Sequence, residues 1–457
     1  METLAPAREQ PSTQRSGPSG WTLSLVAAAC VFYAARIFVL ISRYAVNIFF
    51  WDQWNFDDAT LFQKHSLWQM FAWQHGPHRQ GLGALFQKLV DPHFAWNSRI
   101  ESFVIGAVIA AAAACAFWLK LKLYGPLTIF DAVIPAIVFT PRQWGTLFSA
   151  SNFAHGPMPL LLIFLYCLAW TCGRGAVRYP LILLINFFAI YTGFGLFLGL
   201  MTPFLLLMDR RSGPDAPSRT YFICVLLIAL ASLGSFFIGY RLVPVIDCFS
   251  LQPQSPWSYL NFVALMFAYF FALNGTGAVP RLVGVAILIA LVVLLAIALW
   301  RLLRRQGPSN AERNRLLAVV TLIAFSLLFC INTAYGRVCG GLDLAHTSRY
   351  AIYLEPALLG AYFCLLTIRR AATRNLLLAG MLLPVLAASL HLGLGEMDYP
   401  RYIKLRWKTC YLQTEDIKQC NRIGGYEIYP EPTEAIHLQE KLQFLKKTRQ
   451  NLYSDSK

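Results

Sequence analysis

From Trp21 to Phe50 the only charged residues are Arg36 and Arg43, and from Leu282 to Trp300 there is none. About 20 consecutive apolar residues make a helix long enough to cross a bilayer. Inside hydrocarbon, a helix satisfies its own peptide groups within one segment. Further apolar stretches lie near residues 100–120, 127–141, 157–173, 179–192, 194–208, 220–240, 315–335, 350–368 and 375–394. The expected fold class is all-α: a polytopic integral membrane protein with about eleven transmembrane helices. Only 14% of residues are charged and 57% are hydrophobic. Such a chain cannot cover itself with water-compatible surface, which excludes a soluble enzyme, a disordered scaffold and a collagen-like fibre. The first run is too long for the apolar part of a cleaved signal peptide, so it reads as a retained helix.

The net charge is +16, but in a membrane chain the placement of cations matters more than their sum. No nucleic-acid partner is expected; the lipid bilayer is. One set of loops is rich in Lys and Arg: the N-terminal tail, Lys120/Lys122, Arg174/Arg178, Arg210/Arg211/Arg219, the Arg301–Arg315 stretch and Arg369/Arg370/Arg374. These loops are expected in the cytoplasm. The other set, 51–99, 142–156, 241–280, 336–349 and the tail after Gly395, is expected outside. Counting 258–273 as a crossing would put the Arg301–Arg315 cations outside, so that segment reads as re-entrant or interfacial. Three units follow: residues 1–20 as a disordered cytoplasmic tail, 21–395 as the membrane domain with 51–99 its largest outer loop, and 396–457 as a small extracytoplasmic tail. The N-terminus is expected inside and the C-terminus outside.

Cys410 and Cys420 lie in that outer tail, where a local disulfide is compatible with an oxidising milieu; a reduced pair is the alternative. There is no Cys-x-x-Cys, no His-Glu-x-x-His, no phosphate-binding glycine loop and no dinucleotide fingerprint. No metal site and no cofactor are expected, and any group donor must arrive from the membrane.

Chemistry concentrates in the expected outer loops. The first opens with Trp51-Asp52-Gln53-Trp54-Asn55-Phe56-Asp57-Asp58 and continues through His65, His75-Gly76-Pro77-His78-Arg79, Lys88, Asp91 and His93. A carboxylate at a membrane–water boundary can act as general base, since partial burial raises its pKa toward the working pH. Asp52, flush against the helix end, is the first candidate and Asp57 the second; Asp58 reads as a solvated loop residue. His75, His78 and Arg79 are suited to an anionic leaving group, because guanidinium matches phosphate geometry. A late loop, Tyr335-Gly-Arg337 through His346-Thr-Ser-Arg349-Tyr350, brings two arginines to a side where cations are expected to be few. Arg337, His346 and Arg349 are therefore candidate anion ligands; pairing with Asp343 or Glu355 is the plainer alternative. Arg142, in Thr140-Pro-Arg-Gln-Trp144, adds a further cation, or anchors a short interfacial helix.

The order Asp-Gln-Trp after the first helix, His-Arg later in that loop, Arg-Gln-Trp after the third helix and a late Gly-Arg…Ser-Arg-Tyr loop resembles the GT-C glycosyltransferases of the bacterial inner membrane. The resemblance implies transfer of a sugar from a polyprenyl-phosphate donor to a hydroxyl of a glycan or lipid acceptor, on the extracytoplasmic side. It gives the base to Asp52, with Asp57 as alternative, and the lipid phosphate to Arg337, Arg349, Arg79 and His78. Relatives tend to carry an acidic residue before the His-Arg pair, where this chain has Pro77. Two other classes remain open from the residues alone: a transporter or lipid flippase, and a non-catalytic membrane assembly subunit. No internal repeat favours a transporter, and the charges crowd at the outer edge.

Overall fold

The computed structural model describes residues 20–57, 65–149, 152–173, 175–211, 217–243, 248–249, 254–304, 308–429 and 435–455. The expected N-terminal tail, Asp58, Arg174 and Arg305 lie outside the described residues; Asp57 ends a short helix, Gln53–Asp57. The described chain is helical apart from loops and one two-stranded hairpin. Six helices are long and apolar enough to cross a membrane, and this is a membrane protein. Among them are Gly20–Tyr44, Ser98–Tyr124, Ala278–Leu303 and Asn310–Arg337. Ala278–Leu303 is the most exposed of the six, as suits a helix facing lipid on most sides, whereas Asn310–Arg337 is mostly buried and forms the axis of the bundle.

Two segments differ from expectation. The stretch 127–141 is not one long helix but a 3-10 turn at Ile129–Ala132 followed by Val133–Val138. Pro135 and Pro141 supply no backbone donor, and the helix stops at Phe139. Irregular backbone at membrane depth survives only inside protein, and residues 132–143 are all buried. Arg36 closes the break: its Nη2 donates to the freed Phe139 carbonyl at 3.1 Å and its Nη1 to Ser389 O, with the guanidinium 4.8 Å from the Tyr33 ring. The second segment is Pro256–Phe270. Every residue from Phe262 to Phe270 is buried. A helix lying in the headgroup plane would expose one face, so the interfacial alternative is corrected. Gly284 makes this packing possible, since a Cβ there would sit 1.9 Å from the Ala264 carbonyl oxygen.

Buried charges stitch the helices together at two places. Lys120 pairs with Asp131 at 2.9 Å, and the Tyr362 hydroxyl donates to Asp131 at 2.7 Å. Asp209 lies 2.9 Å from Arg313 Nε and 3.2 Å from Arg178 Nη1, and accepts from the Tyr179 hydroxyl at 2.7 Å.

The tail folds back on the Asp52 end of the bundle. Helices Leu394–Thr414, Ile417–Gly424 and Ala435–Thr448 share an apolar core with Val46–Phe50, Trp54 and Trp96. Cys410 and Cys420 are disulfide-bonded across 5.6 Å between Cα atoms. A second disulfide, Cys248–Cys339, spans 91 residues of sequence. Sequence reasoning passed over it because the partners are far apart, although both lie in loops expected on the same side.

Candidate active site

The first helix ends at Tyr44, and the chain reaches Asp52 through a buried turn, Ala45–Phe50. The turn is fixed by its backbone: Trp51 N–H donates to Ile428 O at 3.1 Å, and Trp51 adopts a left-handed φ of 54°, rare for a bulky residue. Beneath it lies a buried polar layer. Gln53 accepts from Phe50 N–H at 3.0 Å and donates to Glu101 at 3.2 Å. Lys404 donates to Phe148 O at 3.0 Å, and Lys441 to Trp54 O at 2.6 Å. Burial pushes the Lys404 ammonium down to about 7, against the raising influence of Glu101, and burial lifts the Asp91 carboxyl to about 7.

Asp91 gives a stability prediction. Its folded pKa lies above the unfolded value near 3.8, so the folded state keeps a proton that the unfolded chain has lost. Its contribution to stability therefore falls as pH rises from about 4 to 7 and stays low above that. Asp91→Asn removes this loss. The variant is expected to melt like the wild type at pH 4 and several degrees higher at pH 8, as read by thermal unfolding in detergent.

Asp52 and Arg349 meet although 297 residues separate them: Arg349 Nη1 donates to Asp52 Oδ2 at 3.1 Å. On the other side of the carboxylate, His75 Nε2 lies 4.0 Å from Oδ1. Arg337 is near enough to act on Asp52 through its charge. Burial by itself raises the Asp52 pKa, but Arg349, His75 and Arg337 outweigh it, and the net direction is down. This corrects the expectation that burial leaves Asp52 a stronger base: in this state it is an ionised, cation-paired carboxylate. With 39% of its side chain exposed, it remains open to an incoming hydroxyl.

His75 and His78 face each other in an antiparallel hairpin, Gln74–His75 with His78–Arg79. Gly76 at φ 53° followed by Pro77 makes the tight turn, so Pro77 has a local structural reason. His78 contacts the Phe194 ring at 4.3 Å and hydrogen-bonds the Gly193 backbone. Burial, helped by His75 and Arg337, pushes it down to about 3. It is neutral at working pH and can serve only as an uncharged hydrogen-bonding group, not as a cation for phosphate. His155, 5.7 Å from the His78 ring, is lowered by burial in the same way; it joins the cluster from the 142–156 loop.

Arg79 does not join it. Its guanidinium is buried and donates to three carbonyls, Phe236 at 3.1 Å, Ala72 and Ile238. With those bonds made, it ties the first outer loop to the end of Arg219–Phe236, which corrects its assignment to the lipid phosphate.

Arg142 and His346 form a neighbouring cluster. The Arg142 turn is buried, not the surface of an interfacial helix. Arg142 Nη1 lies 3.4 Å from Glu396 Oε1, and its guanidinium carbon is 5.3 Å from the Tyr269 ring. Glu396 also accepts from Asn274 at 2.9 Å and Tyr269 at 3.2 Å. Arg142 Nε and Nη2 are buried donors without a hydrogen-bond partner among the described residues, and such donors favour an acceptor. His346 Nε2 is likewise unpartnered among them, while the ring hydrogen-bonds the Gly275 backbone. The two clusters abut: Gly145 N–H donates to Ser348 Oγ at 3.2 Å, and a Cβ on Gly145 would touch the Arg349 side chain.

An apolar groove of about 820 Å³ is lined at one point by Leu273, the chain neighbour of the Asn274 that bonds Glu396. It runs between Ala278–Leu303, Ala351–Leu365 and Ala371–Leu390, and its lining residues Leu273 and His391 lie one residue before Asn274 and two before the Gly393–Glu396 turn. Glu396 and the groove were not foreseen from the sequence, because neither follows from local pattern. No family model, no curated protein and no solved structure matches the chain.

Proposed function

We propose that this chain is a membrane glycosyltransferase of GT-C type, moving a sugar from a polyprenyl-phosphate donor to an acceptor hydroxyl on the extracytoplasmic side of a bacterial inner membrane. The observation that carries the reading is the Asp52–Arg349 pair, an accessible carboxylate held against a guanidinium by two distant loops. In support stands the apolar groove between the helices, a place for a prenyl chain, whose lining residue Leu273 neighbours the Asn274 that shares Glu396 with Arg142. The topology that goes with it has the six long helices and five shorter apolar segments crossing, with the amino end in the cytoplasm.

The acceptor oxygen attacks the anomeric carbon as the bond from that carbon to the phosphate oxygen breaks. Asp52 takes the hydroxyl proton, and polyprenyl phosphate leaves with the bonding pair. Arg349, with Arg337 and Arg142 nearby, balances charge growing on the phosphate where little water competes. Donor binding draws Arg349 from Asp52. The carboxylate then loses the partner that holds its pKa down, and burial makes it a better base just when the donor is in place. His75, His78 and His155 bound the site.

The test uses full-length protein in nanodiscs, undecaprenyl phosphate bearing a radiolabelled hexose or pentose, and linear tetrasaccharide acceptors. Label is expected to leave the lipid fraction, and Arg349→Ala to slow that release by about 10²-fold. Label that stays on the lipid with every donor, or an Arg349→Ala rate equal to wild type, overturns the proposal.

A further inference from the structure

We propose that the open cleft between the Trp51 turn and the C-terminal tail is a saccharide subsite, in which a neutral acceptor glycan lies with one hydroxyl directed toward Asp52. The inference rests on the transferase reading and names the acceptor class for it. The cleft has a volume of about 550 Å³ and is lined by Trp51, Asn421, Arg422, Gly425, Tyr426 and Glu427, within the range of about 300–1,000 Å³ common for small-molecule sites.

Its chemistry has the two parts that a sugar ring requires. The rings of Trp51 and Tyr426 stand 5.9 Å apart and 14° from parallel, and Phe50 stacks on Tyr426 at 5.6 Å. A pyranose presents one face of C–H groups that packs on such a surface, while its hydroxyls need partners around the edge. Arg422 offers donors and Glu427 acceptors, both exposed. Asn421 is oriented by Trp407, whose indole N–H donates to its Oδ1 at 2.7 Å, and among the described residues its amide nitrogen has no acceptor, so that it can donate to a ligand. One cation and one anion give the cleft no net charge, which suits a neutral glycan better than a polyanion.

The cleft is also built in advance. Trp51 holds its left-handed backbone through the bond to Ile428. Gly425, at φ 68°, ends Ile417–Gly424 and leaves open space where a side chain would stand. The Cys410–Cys420 disulfide fastens that helix to Leu394–Thr414. Position completes the case. Trp51 precedes Asp52 in the chain, and the charges of Asp52 and Arg349 both reach the Tyr426 hydroxyl, so the cleft adjoins the reacting groups.

The experiment is saturation-transfer NMR on the full chain in nanodiscs without donor, with linear tetrasaccharides of glucose, mannose, galactose and arabinose as probes. At least one saccharide is expected to receive saturation on its ring protons. Trp51→Ala and the double variant Arg422→Ala/Glu427→Gln should weaken binding tenfold or more; the double variant changes only exposed side chains and so separates binding from folding. No saturation transfer to any saccharide, or unchanged affinity in the double variant, overturns the subsite. The two proposals fail separately. Saccharide binding lost in the variants, with no donor consumed by wild type, removes the transferase and keeps the subsite. Sugar transfer with an acceptor KM indifferent to the double variant removes the subsite and keeps the transferase.

Discussion

Asp52→Asn is expected to abolish sugar transfer, by about 10²–10⁴-fold, the range for loss of a general base, while membrane insertion and thermal stability stay close to wild type. Asn preserves the volume of the side chain but cannot accept the proton, and the ion pair it removes is partly exposed, so little stability is at stake. The pH profile adds a second readout. In the free protein Arg349, His75 and Arg337 hold Asp52 below the usual carboxylate range. The acidic limb of kcat/KM should therefore lie low, because activity is lost only as pH falls through that depressed pKa. In the donor-bound state Arg349 is engaged by phosphate, and the acidic limb of kcat should move up. A loss under tenfold in Asp52→Asn, or coincident limbs, would remove Asp52 from the role of base.

The largest stability effect should come from Asp209. It is buried at the meeting of Gly175–Ile190, Leu196–Arg211 and Asn310–Arg337, with Arg178, Arg313 and Tyr179 around it. Asp209→Asn leaves two buried guanidinium groups facing a neutral amide. Removing one partner from a buried ion pair costs about 3–5 kcal/mol, so the variant should aggregate or melt far below wild type in fluorescence-detected size exclusion. The triple variant Asp209→Leu/Arg178→Met/Arg313→Met should recover much of the loss, since apolar replacement of the carboxylate and both guanidinium partners leaves no uncompensated charge. An Asp209→Asn protein that melts with the wild type would mean that water already solvates these arginines.

The helical membrane architecture was legible because it follows from local composition. A stretch such as Leu282–Trp300 must be helical in lipid whatever its neighbours. Asp52 and Arg349 were both singled out by chemistry that does not fit an ordinary loop. Arg79 shows where such reasoning stops. Its sequence context is as suggestive as that of Arg349, yet three backbone carbonyls occupy it. His78 passes the same test of residue type, but burial leaves it uncharged. The break at Phe139 divides the apolar stretch 127–141 into a 3-10 turn and a short buried helix, visible in the sequence only as Pro135 and Pro141.

Hydropathy and charge by themselves determined that this chain lives in a bilayer as helices, and which residue types crowd at the helix ends. Those properties are summed over neighbours in sequence, so they survive without knowledge of the fold. Only the tertiary structure decided which ends meet: Asp52 with Arg349, Cys248 with Cys339, the tail with the Trp51 turn, and Arg142 with Glu396. The physical reason is that a buried charge acquires its protonation state and its partner from atoms brought in by distant segments, and local periodicity does not specify how helices are ordered in the plane of the membrane.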